Sequence, residues 1–181
     1  MTCSNVIDCL RSTGVELTVT ARSSVNSVGP EYTIIYSEHN NYCSADIGVK
    51  EWVLIDFKKV ISFHSYQFRS GTSSNWLSEW NISVSLDNTN WVIADSPPIQ
   101  YAGNKIFNLS KAVNAKYVKI DGRAPLYSST STRLCFYYIK FYGSIDPMPT
   151  IKTYNKLMTC EWKSTRVIVN LMRMITLLSY S

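Results

Sequence analysis

Residues 80–91 read WNISVSLDNTNW, and their pattern sets the fold class. Trp80, Ile82, Val84 and Leu86 alternate with Asn81, Ser83 and Ser85, the period of a strand that buries one face. Asp87-Asn88-Thr89-Asn90 supplies turn chemistry, because Asp and Asn side chains bond their own backbone and Asn tolerates the left-handed region. Trp91, Val92 and Ile93 restart an apolar run at once. The stretch predicts a hairpin with a tryptophan at each end, both part of a core scaffold. Ligand chemistry is then expected in the loops around it.

Working outward, the flanking segments follow the same period. Upstream, Glu51 to Phe57 (EWVLIDF) is apolar on both parities apart from Asp56. Val60 to Arg69 (VISFHSYQFR) changes parity part-way, with Ile61 and Phe63 on one face and Tyr66 and Phe68 on the other. A bulge near His64-Ser65 would return both pairs to the core. Val15 to Thr20 predicts a strand, and Tyr32 to Tyr36 a short extended piece within a long polar connection. Downstream, strands are predicted at Ile106 to Leu109 and at Lys116 to Ile120. A last strand, Leu134 to Tyr142, is expected to place Cys135, Tyr137, Ile139 and Phe141 on one face. Ser4 to Arg11 fits a short helix with Ser4 as N-cap, ended by Gly14. Short strands, turn signals and almost no helix predict an all-β, antiparallel sandwich.

Composition agrees with that class. The 181 residues suit one domain with a proper core, and 13% of them are aromatic. Residues 1–150 hold 13 Lys/Arg against 12 Asp/Glu, whereas residues 151–181 hold five against one. The body is nearly neutral, so it lacks the basic face of a nucleic-acid-binding domain. The five cysteines, Cys3, Cys9, Cys43, Cys135 and Cys160, form no CxxC pair and fit neither a regular disulfide framework nor a zinc site. Asp8 interrupts the only apolar patch of the N-terminus, which excludes a secretory signal there. Free thiols and a cytoplasmic location are the resulting expectations.

The chain divides into a lead-in at 1–13, a sandwich domain at 14–146 and a basic, apolar tail at 147–181. In the tail, Val167, Ile168, Leu171, Met172, Ile175 and Leu178 recur at helical spacing. Arg166 and Arg173 interrupt the run, which is too short and too charged to span a membrane.

Taken together, WVLIDF at 52–57, the strand at 61–69, SVSLDNTNW at 83–91, KYVKI at 116–120 and YYIKFYG ending at Gly143 resemble the discoidin family. This family, also called coagulation factor 5/8 type C, has a galactose-binding-like jelly-roll sandwich, and the resemblance covers roughly residues 14–145. Extracellular members usually join a cysteine at each end of the domain. Here Cys135 lies within a strand and the Gly143 end has none, which looks more like the intracellular variants found beside BTB modules. Asn88 stands where the family often has Gly, and either residue adopts positive φ.

The resemblance implies a non-catalytic module that binds its ligand with loops at one end, here 22–48, 70–79 and 121–132. A sugar needs a flat apolar surface for its C–H face and planar donors or acceptors for its hydroxyls. Trp76, Tyr42 and Tyr127 are candidates for the first; Arg69, Asn75, His39, Arg123 and Arg133 for the second. A structural role competes at these positions, such as an Arg69–Glu79 pair. A protein ligand is the alternative partner, and Trp76-Leu77 is the insertion point if the ligand is a membrane surface. No catalytic motif occurs. No cofactor is expected: calcium is known in the family, but Glu31, Glu38 and Asp46 are too scattered for a cation cage.

Overall fold

Two long antiparallel strands, β4 (Trp52–Arg69) and β7 (Asn104–Pro125), carry both layers of the sandwich. The computed structural model describes residues 2–25, 28–37, 39–45, 51–71, 77–97, 103–125 and 133–145. The first half of β4 pairs with β2 (Thr18–Ala21) and with the second half of β7, Trp52 lying opposite Asp121. The second half of β4 pairs with the first half of β7, Arg69 opposite Asn104, and with β9 (Tyr138–Ser144). β5 (Leu77–Ser85) and β6 (Val92–Asp95) extend the sheet beyond β7, and β1 (Thr2–Cys3) borders β9. A separate two-stranded ladder joins β3 (Tyr42–Cys43) to β8 (Cys135–Phe136).

The bulge expected near His64-Ser65 is present. Both ladders of β4 shift register between Phe63 and Ser65, and Ile61, Phe63, Tyr66 and Phe68 all reach the core. β4 turns from one layer to the other between Asp56 and Ile61, where Lys58 adopts φ 62°. Asp56 supports that corner by accepting from the Lys58 amide at 2.8 Å and from its ammonium at 2.7 Å. The strands expected at 106–109 and 116–120 belong to one element, β7. Its ladder with β4 is interrupted between Asn108, opposite Ser65, and Val113, opposite Phe63.

The central hairpin forms as its sequence demands. Asp87 Oδ1 accepts from the amides of Thr89 and Asn90, each at 2.8 Å, and Asn88 takes φ 63°. These bonds hold the Asp87 carboxyl well below its ordinary value. Trp80 is fully buried, stacked on Phe68 and edge-on to Phe107. The expectation that Trp91 shares the core is corrected. Trp91 is half-buried under the Lys119 ammonium, 4.9 Å from its ring, while Leu86, Val92 and Ile93 are 57%, 66% and 59% exposed. Among the described residues β6 pairs only with β5, at the end of the sheet.

Other expectations change locally. The N-cap of α1 (Val6–Ser12) is Asn5 and not Ser4, because Asn5 Oδ1 accepts from the Ile7 amide. Val6, Ile7 and Leu10 are buried in the common core, so this helix packs on the sandwich within one compact unit, Met1–Pro147. Residues 30–34 form a 3-10 turn and not an extended piece: Pro30 fixes the first φ and Thr33 Oγ1 bonds back to its carbonyl at 2.7 Å. β2 begins at Thr18, three residues later than the pattern of Val15 to Thr20 predicts. The last strand breaks at Tyr137, which sends Phe136 and not Tyr137 into the core.

Free thiols are also overturned for four of the five cysteines. Cys3 pairs with Cys9, and Cys43 pairs with Cys135, its cross-strand neighbour in the β3–β8 ladder. Cys160 and the whole tail lie outside the described residues.

Candidate ligand-binding end of the sandwich

The register of β4 and β7 brings four connections to one end of the sandwich. Trp52, Arg69, Asn104 and Asp121 mark that end, and Phe68 and Trp80 meet across the core just beneath it, 4.3 Å between ring centroids. Phe136 continues this aromatic floor 4.9 Å from Phe68, and Tyr42 meets Phe136 edge-on at 6.2 Å. The segments 22–51, 70–76, 96–103 and 126–134 all leave from here. The loops expected to bind ligand at 22–48, 70–79 and 121–132 adjoin this end, and their residues 26–27, 38, 46–48, 72–76 and 126–132 lie outside the described residues.

Above the floor sits a polar layer tied to the backbone. The Gly122 amide donates to Glu51 O at 3.0 Å, and the Ser70 amide to Gly103 O at 2.8 Å. Ser44 and Leu134 exchange two bonds, Ser44 N to Leu134 O at 3.0 Å and Leu134 N to Ser44 Oγ at 2.8 Å. The Tyr137 amide donates to Arg69 O at 2.9 Å, anchoring the kink that precedes β9.

The expected site residues divide by environment. Tyr42 is 0% exposed and its hydroxyl donates to Ser23 O, so it belongs to the floor and presents no face to a ligand; that expectation is corrected. Burial, helped by the neighbouring Glu51, pushes its phenol pKa far up. Arg69 is half-buried with its guanidinium 5.6 Å over the Tyr137 ring, and its Nε is buried without a hydrogen-bond partner. Glu79 pairs with Arg123 at 3.6 Å and not with Arg69, because β5 lies beside β7. Arg123 is exposed and also donates to Ser96 Oγ at 2.8 Å. Arg133 is half-buried directly before Leu134, and His39 is exposed with its amide donating to Ser37 Oγ. Asn75, Trp76 and Tyr127 lie outside the described residues.

Two further residues stand at this end that the pattern of apolar positions does not single out. Glu51 is only 1% exposed; Oε2 accepts from Ser23 Oγ at 2.9 Å, and Oε1 has no hydrogen-bond partner. A carboxylate immediately before an apolar strand was the available signal. Tyr137 supplies the flat ring under Arg69; the break of the strand at this residue takes it off the face that Cys135, Ile139 and Phe141 bury. Among the described residues, no group of three or more His, Cys, Asp or Glu side chains is placed to hold a metal ion.

An antiparallel jelly-roll of this strand order defines the class of galactose-binding-like sandwiches. The chain belongs to the F5/8 type C domain family, which matches residues 18–136. No curated protein matches the chain by sequence. Among solved structures it resembles chitosan-binding module 1 derived from a chitosanase/glucanase of Paenibacillus sp. IK-5. That pair has TM-score 0.60 and 19% identity, over 70% of this chain and 94% of the other. It also resembles CBM32-3 from a family 31 glycoside hydrolase of Clostridium perfringens, with TM-score 0.60 and 18% identity over 71% and 91%. A third is CBM32-5 of a Clostridium perfringens protein, in complex with GalNAc-beta-1,3-galactose, with TM-score 0.59 and 13% identity over 70% and 95%. At these identities the likeness is one of fold.

Proposed function

We propose that this domain recognises a glycan or glycoconjugate with the loops of the Arg69 end and does not transform it. The observation that carries the reading is the half-buried Arg69 guanidinium held 5.6 Å over the Tyr137 ring at the end where these loops leave the sandwich. A planar donor held against a ring is what a sugar hydroxyl and its C–H face require together. The Tyr137 amide donates to Arg69 O at 2.9 Å, which holds the ring and the guanidinium side by side. Two structures of the same fold are described as a chitosan-binding module and as a module in complex with GalNAc-beta-1,3-galactose, which adds support from analogy. Trp76, Asn75 and Tyr127 extend the proposed surface from the sequence.

The test is a glycan array with the full chain, followed by Arg69→Ala on any sugar that binds. Loss of a hydrogen bond to a charged group weakens binding by about tenfold or more. An empty array, or unchanged affinity in a folded Arg69→Ala variant, refutes the reading. Specific capture of a protein, or Trp76-dependent sedimentation with anionic vesicles, would then establish the adaptor or lipid alternative.

A further inference from the structure

We propose that Asn108 is an acceptor for asparagine-linked glycan, in a chain that folds in an oxidising compartment. The chain contains two Asn-X-Ser sequons, Asn81-Ile82-Ser83 and Asn108-Leu109-Ser110, and the structure treats them differently. Asn81 lies in β5 between β7 and β6, and its Oδ1 accepts from Ser96 Oγ at 2.8 Å. The hydroxyl of its sequon, on Ser83, is 5% exposed and donates to Asp121 Oδ2 at 3.0 Å. Asn108 and Ser110 are both exposed. Phe107 stacks on Tyr66 on the core side, so the alternation of the strand turns Asn108 outward.

Position in the ladder favours the same asparagine. Asn108 is the last residue of β7 opposite Ser65 before the pairing with β4 lapses until Val113. Its sequon therefore runs into a segment free of ladder partners, where a transferase can reach the chain. β5 begins to pair with β7 only at Tyr117, so the first half of β7 has one edge without a paired strand among the described residues. A glycan there would shield an open edge that also exposes Ile106.

The compartment follows from an independent observation. Cys3–Cys9 and Cys43–Cys135 are disulfides, which persist in oxidising surroundings and are rare in the cytosol. The cytoplasmic expectation rested on the N-terminal segment, and the oxidising compartment is proposed in its place on the strength of the disulfides. The chemistry is a group transfer without redox change. The Asn108 side-chain nitrogen forms a bond to C1 of an oligosaccharide carried on a lipid pyrophosphate. The C1–O bond to phosphate breaks, the lipid pyrophosphate leaves with the electron pair, and the amide gives up one proton to a base of the transferase.

The experiment expresses the full chain through the secretory pathway of a glycosylating host, with peptide N-glycosidase digestion of the product. The expected result is a mobility shift that digestion removes, retained in Asn81→Gln and lost in both Asn108→Gln and Ser110→Ala. The Ser110→Ala variant keeps Asn108 and its packing, so loss in both variants cannot reflect misfolding at one side chain. A product without the shift, or a shift that survives in Asn108→Gln, overturns the proposal.

Discussion

Trp80 Nε1 donates to Tyr66 Oη at 3.1 Å, and Tyr66 Oη donates in turn to Asp95 Oδ2 at 2.7 Å. This relay ties β5, β4 and β6 together through the buried Trp80 and Tyr66 and the half-buried Asp95. The central hairpin is thus fastened to the sandwich by polar bonds as well as by aromatic packing.

The two tryptophans of the hairpin should separate in stability. Trp80→Ala removes a fully buried ring and orphans the relay, and it should cost about 3–5 kcal/mol. Trp91→Ala loses a half-exposed ring and its Lys119 contact and should cost about 1 kcal/mol or less. Urea unfolding of both variants measures the difference; equal losses would show that Trp91 is a core residue after all.

Gly143 is required where β9 crosses β4. A Cβ there would lie 2.0 Å from the Ser62 carbonyl oxygen and 2.6 Å from Phe63 Cα, and neither backbone atom can yield. Gly143→Ala should destabilise by about 1–3 kcal/mol or prevent folding. At Gly14 nothing lies within 4 Å, and only its φ of 76° opposes a side chain, so Gly14→Ala should cost about 1–2 kcal/mol. Thermal melting distinguishes the two.

The buried phenols predict an alkaline limit. Burial raises the pKa of Tyr36, Tyr42 and Tyr66 above the ordinary value of 10.0. A raised folded pKa contributes stability fully present below pH 10 and lost as pH climbs above it. Ultraviolet titration should therefore show three tyrosines that ionise only as the protein unfolds. Asp87 works in the opposite direction, because its folded pKa is depressed below 3.8. Its contribution is present above that pH and lost as pH falls through the folded value, and Asp87→Asn should flatten the acid side of the stability profile.

The two disulfides should differ in worth. Cys43–Cys135 spans 92 residues and Cys3–Cys9 spans six. By chain entropy the first restricts the unfolded state by about 4–5 kcal/mol and the second by about 2 kcal/mol. Paired Cys→Ser variants should lower the melting temperature in that order. Alkylation under denaturing, non-reducing conditions should leave these four cysteines unlabelled.

The fold was largely legible because strand burial repeats every two residues and needs no distant partner to be read. The parity change at Phe63 to Tyr66 even located the bulge, and Asp87 to Asn90 located the turn. The candidate site was less legible. Arg69 was identifiable as a planar donor, but the burial of Tyr42 and the half-exposure of Tyr137 were not, since the latter depends on the break of the last strand at Tyr137. The burial of Glu51 is not legible locally, because its partner Ser23 lies 28 residues away.

What the sequence determined by itself is local: the alternation of the strands, the turn at Asn88, the short amphipathic helix and the neutral charge of the body. Each depends on side chains within a few positions of one another. Tertiary structure alone decided the pairing of Cys43 with Cys135, the exposure of Trp91, the packing of the helix and the meeting of Phe68 with Trp80 beneath the ends of β4 and β7. These depend on which strands become neighbours, and that order follows from burying the whole apolar surface at once, a quantity no single stretch contains.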